Sequence, residues 1–149
     1  MFNFLRKKPN LQKNILKELN ALKPSYAEIL NTDIFQSAEY AIKTLNKDDF
    51  KVAEENGWTA EILALYLLIQ SITTEVQVSK DRFYSVIEDT TSIKQALFKA
   101  YLKANTKFYS LGFLSPIQYK YIIEDSRLDF MLTEELAQPI LDDVLKRTE

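Results

Sequence analysis

Ala60-Glu61-Ile62-Leu63-Ala64-Leu65-Tyr66-Leu67-Leu68-Ile69-Gln70-Ser71-Ile72-Thr73-Thr74-Glu75-Val76 is the stretch that decides the fold. Wound as a helix, it places Ile62, Leu63, Leu65, Tyr66, Leu67, Leu68, Ile69 and Ile72 around most of its circumference, and a helix that is apolar all round belongs at the centre of a protein. Its longest apolar run, residues 62–69, is eight residues long, whereas a membrane-spanning helix requires roughly 20. Trp58 and Leu63 flank Thr59 at the spacing of a hydrophobic staple, which fixes the helix start.

Outward from this helix the chain reads as a series of capped helices with no credible alternating strand. Both of its glycines, Gly57 and Gly112, follow a helix-like run and precede an aromatic residue. A helix terminates there through a left-handed residue, and Phe113 is spaced to touch Phe108 as in a Schellman motif. Leu11, Ile15, Leu19 and Leu22 repeat at helical spacing behind the N-cap Asn10, and Pro24 stops that run. Ser25 with Glu28 reads as a capping box, and Asp33 caps a helix carrying Ile34, Ala38, Ala41 and Leu45. Asp48 and Asp49 favour a helix start, and that helix ends at Gly57.

A short segment with Phe83, Val86 and Ile87 comes next. Ser92 with Gln95 then opens a helix over residues 93–111, and Ser115-Pro116-Ile117-Gln118 combines an N-cap, proline at N1 and glutamine at N3. A helix through Ile122 and Ile123 follows, and Pro139 places a break or kink in the last stretch. Asp142 with Lys146 and Asp143 with Arg147 are i,i+4 pairs on a solvated face of the terminal helix. The expectation is an all-α, single-domain bundle of six to eight helices over residues 1–149, with residues 1–9 a frayed basic and apolar terminus.

The 149 residues include no histidine, no cysteine and only two glycines, so disulfides, thiolate metal sites and phosphate-cradling loops are excluded. Carboxylates remain, but no acid pair stands at i,i+3, and the one pair at i,i+4, Asp125 and Asp129, reads as an acidic helix face. Neither metal nor cofactor is expected, and the chain is not expected to be an enzyme. Its runner-up as a catalyst is a carboxylate-dependent Mg²⁺ or Mn²⁺ enzyme.

A net charge of −2 hides polarity: residues 1–23 hold six bases and one acid, and residues 123–149 three bases and eight acids. Fifteen of the nineteen bases are lysine, whereas nucleic-acid recognition favours arginine, so nucleic acid is not an expected partner. At the amino terminus Phe2, Phe4 and Leu5 precede Arg6, Lys7 and Lys8. That is the wrong order for a secretory signal, makes at most a weak contact with an anionic membrane surface, and together with the lack of cysteine points to the cytoplasm.

The helix over residues 93–111 has two apolar faces. Leu97, Ala100, Ala104, Phe108 and Leu111 form one stripe, Lys99, Lys103 and Lys107 a basic flank, and Phe98, Leu102, Asn105 and Tyr109 lie nearly opposite the first stripe. Either other helices sandwich it, or Phe98, Leu102, Asn105 and Tyr109 with Lys99 and Lys103 form an exposed anchor for another protein. The function expected is a non-catalytic protein-binding module, of the small bacterial immunity or antitoxin type that masks a partner. The alternative is a scaffold or adaptor that self-associates through the same face.

Overall fold

The computed structural model of the chain describes residues 11–146, which form eight α-helices and one short 3-10 helix, with no strand among them. In chain order these are α1 (Leu11–Tyr26), α2 (Thr32–Thr44), α3 (Lys47–Glu55), α4 (Ala60–Val78), α5 (Lys80–Phe83), α6 (Thr91–Ser110), α7 (Pro116–Glu124), the 3-10 turn (Ser126–Phe130) and α8 (Glu134–Lys146). The fold is the all-α bundle that the sequence predicts. Asn10, residues 1–9 and Arg147 lie outside the described residues.

α4 is the central helix. α1, α2 and α6 pack directly on it, and it buries Ile62, Leu63, Leu65, Leu67, Leu68, Ile69, Ile72 and Val76. Each such side chain contributes about 1.5–3 kcal/mol when removed from water. The hydroxyl of Ser71, also buried, donates to Leu67 O at 2.9 Å, so no polar group is stranded in this helix. α6 is the second spine. α4 covers one side of it, and α7, the 3-10 turn and α8 cover the other. α4 and α6 run in opposite directions, since Glu61 at the start of α4 pairs with Lys107 at the end of α6 at 3.3 Å.

Both glycine terminators form as expected. Gly57 and Gly112 have φ +78° and +89°. Trp58 N donates to Ala53 O and Gly57 N to Glu54 O, while Phe113 N donates to Phe108 O and Gly112 N to Tyr109 O, which is the Schellman pattern twice. A third left-handed terminator has no glycine: Met131, at φ 57°, closes the 3-10 turn. The Ser115 start is a complete capping box with Pro116 at N1. Asn46 caps α3, with Asp48 and Asp49 in its first turn.

Several sequence expectations need correction. α1 runs through Pro24 to Tyr26, so Ser25 lies within the helix and opens nothing. Asn31 caps α2 by accepting from Asp33 N at 3.1 Å, so Asp33 itself is a first-turn residue. Gln95 donates to Leu136 O on α8, so no capping box forms with Ser92, and α6 begins at Thr91 behind Thr90. Leu111 is the C-cap of α6 and is exposed, outside the core stripe. Of the break or kink expected at Pro139, the break does not occur: α8 continues across it as one helix. Asp142 accepts from Gln138 at 2.9 Å rather than joining Lys146, whereas the expected partner of Asp143, Arg147, falls outside the described residues.

Candidate functional site

The six residues that the sequence offers as an exposed anchor do not form one. Phe98 and Leu102 are each 0% exposed, and Asn105 is buried as well. The 3-10 turn folds back over this face of α6 and sets Phe130 against Phe98, with ring centroids 5.3 Å apart. Tyr109 stacks on Tyr119 of α7, 4.1 Å between centroids and nearly parallel at 5°. Of the two readings of the double-faced helix, the sandwiched one holds for these side chains.

The basic flank is also engaged within the molecule. Lys99 pairs with Asp143, Lys107 with Glu61, and Lys103 donates to Ser25 O with its ammonium 4.6 Å from the centre of the Tyr26 ring. Such partly exposed pairs contribute about 0–1 kcal/mol each, but they direct all three charges toward neighbouring helices.

Asn105, though buried, borders a hollow. It lies in the wall of a groove of about 540 Å³ formed by Tyr66, Ile69, Gln70 and Thr73 of α4, Tyr101, Asn105 and Phe108 of α6, and Leu114, Ile117, Gln118, Tyr121 and Ile122 of α7 and its lead-in. The hollows between α1 and α2 and between α7 and α8 are smaller, at about 310 and 360 Å³. The lining positions on α4 are i, i+3, i+4 and i+7, those on α6 i, i+4 and i+7, so each helix contributes two turns of one face.

None of the twelve lining residues is charged. Polar function comes from amides, a threonine and three phenols, and Ile117 at the rim is 82% exposed. Asn105 Nδ2 donates to Tyr101 O at 2.9 Å, which commits one of its two N–H donors within its own helix. Depletion of charge with enrichment of tyrosine is the composition of an interface core.

At one end of the groove Tyr121 donates its hydroxyl to Asp129 Oδ2 at 3.3 Å. The charge of Asp129 holds the Tyr121 phenol above its ordinary value, and burial followed by the same charge raises Tyr101. Both phenols are therefore neutral hydrogen-bonding groups at physiological pH. Asp125 and Asp129 do not share an α-helical face, because α7 ends at Glu124 and the chain tightens into the 3-10 turn. Among the described residues, no three of Asp, Glu, His and Cys converge to hold a metal ion.

A second exposed apolar feature lies between α5 and α6, where Val86 is 100% and Ile87 95% exposed. The loop that carries them is closed at its base by the Arg82–Glu88 ion pair at 2.9 Å. The sequence contains a signal for the groove that helix-by-helix reading misses: Ile117 and Tyr121 stand at i,i+4 on α7, with Leu114 just before its cap, an apolar row with no place in the stripes assigned to the core. Comparison of the chain with protein-family models, with curated proteins and with solved structures found no match.

Proposed function

We propose that this chain is a non-catalytic protein-binding module and that the groove between α4, α6 and α7 is its docking surface. The observation that carries the reading is the uncharged, tyrosine-rich lining of an open groove to which three helices contribute. The lining itself carries no charged side chain, and apolar walls with a few polar handles suit recognition. In the form that size and the lack of catalytic residue types suggest, the module acts in the cytoplasm as an inhibitor of the immunity or antitoxin type, covering a functional surface of its partner.

Recognition here works through side chains. The described residues offer no sheet edge to which an extended chain could add, so the mode that fits is a helix laid into a groove. A photo-crosslinking residue tests this. Placed at Ile117 in cells of the source organism, it should yield one discrete heavier adduct. Placed at Val52, exposed on α3, it should not. No adduct at 117, or the same adducts at both positions, would overturn the reading.

A further inference from the structure

We propose that the groove takes an amphipathic helix of a partner protein, and that this helix presents a lysine or arginine to the end formed by Tyr101, Tyr121 and Asp129. The inference rests on the docking role proposed for the groove and adds the chemistry of its occupant.

The shape argues for a helix. Two-turn faces of α4 and α6 line the groove, and helices pack on such faces through ridges of i, i+3, i+4 and i+7 side chains. Charge complementarity argues for the base. Asp129 accepts from Tyr121 at the groove edge, and Asp125, one turn after Tyr121 in sequence, adds a smaller share of negative charge at the same phenol. Neither acid has an ion-pair partner among the described residues. Arg127, between them in sequence, turns away: it donates to Leu132 O at 2.9 Å and reaches Glu134 at 3.5 Å.

An acid beside two phenol rings, at the end of an otherwise uncharged groove, suits a long basic side chain. Its aliphatic stem lies along the apolar wall and its charge meets the carboxylate and the ring faces. The protein already makes this contact internally, where Lys103 stands over Tyr26.

Selection from a displayed library of random 15-residue peptides tests the proposal, with the full chain as bait and its Ile117→Asp variant as counter-selection. The expected consensus has apolar residues at i, i+3 or i+4 and i+7 with a lysine or arginine one turn beyond them. Binding of that peptide, read by fluorescence anisotropy, should weaken about tenfold when its base becomes alanine and about tenfold in Asp129→Asn, with no further loss when both are changed. Asp129→Lys should reverse the preference and select an acid at the same place.

A groove-dependent consensus with no base, or one indifferent to Asp129→Asn, would overturn this inference and leave the docking role standing. Proline-spaced peptides would overturn the helix. Failure to select any peptide that distinguishes Ile117→Asp would overturn both. A wild-type dimer that Ile117→Asp converts to monomer would make the occupant a second copy and overturn the proposal.

Discussion

The indole of Trp58 and the ring of Phe113 meet edge to face, with centroids 5.3 Å apart and planes at 75°. Each is the residue that follows a left-handed glycine at the end of a helix, Gly57 after α3 and Gly112 after α6. The two helix endings therefore converge on one cluster, completed by Tyr66 and Phe108, which lie 5.3 and 5.9 Å from Trp58. Phe108 and Tyr66 also line the groove, so the terminators that stop two helices set the wall at one end of it.

Replacing either glycine with alanine should destabilise the protein by about 1 kcal/mol, because alanine must adopt a left-handed backbone that glycine adopts freely. An added Cβ meets nothing within 4 Å at Gly57 or Gly112, so the two costs should be similar and purely conformational. Urea unfolding of the two variants measures this. A neutral Gly112→Ala would show that α6 ends for some other reason.

The convergence also predicts coupling. A double-mutant cycle on Trp58→Ala and Phe113→Ala should give an interaction energy of about 0.5–1.5 kcal/mol, the range of an edge-to-face aromatic pair. Strict additivity would mean that the two helix ends are stabilised independently.

These endings were legible because their signals are local: a glycine after a periodic run, or Ser115, Pro116 and Gln118 in register. The prolines misled for the opposite reason. A proline inside a helix costs about 3 kcal/mol. Beyond Pro24 the chain buries Tyr26, and beyond Pro139 it buries Ile140 and Val144, at about 1.5–3 kcal/mol per side chain, and that gain holds the helix together. Met131 carries no turn signature at all. The candidate site failed similarly. Periodicity identified two apolar faces on α6, but what covers Phe98 is Phe130, 32 positions away in sequence, and no local pattern announces that return.

Tyr26 sets a limit at high pH. It is buried, and burial pushes its phenol far above the ordinary value near 10. A group whose folded pKa is raised contributes stability that is fully present below its unfolded pKa and is lost as pH rises beyond it. The melting temperature should therefore hold up to about pH 9 and fall above about pH 10. Tyr26→Phe keeps the ring beneath Lys103 but cannot ionise, so the variant should lose less between pH 9 and 11. Equal losses in the two proteins would assign the alkaline instability to other groups.

The contrast between Phe98 and Ile117 separates core from contact surface on neighbouring elements. Phe98 is fully buried against Phe130, so Phe98→Ala should cost roughly 3–5 kcal/mol, as large-to-small changes in a packed core do. Such a loss is a large share of the 5–15 kcal/mol typical of a domain. Ile117 projects from the first turn of α7 at the groove rim, and Ile117→Ser should change stability by no more than about 0.5 kcal/mol. Any partner that occupies the groove must cover Ile117, so the same change should weaken binding while the melting curve stays in place. Thermal unfolding of the two variants, read beside the crosslinking yield at a second groove position such as Gln118, distinguishes the roles. A Phe98→Ala protein that melts like the wild type would return that residue to the surface and undo the sandwiched reading of α6.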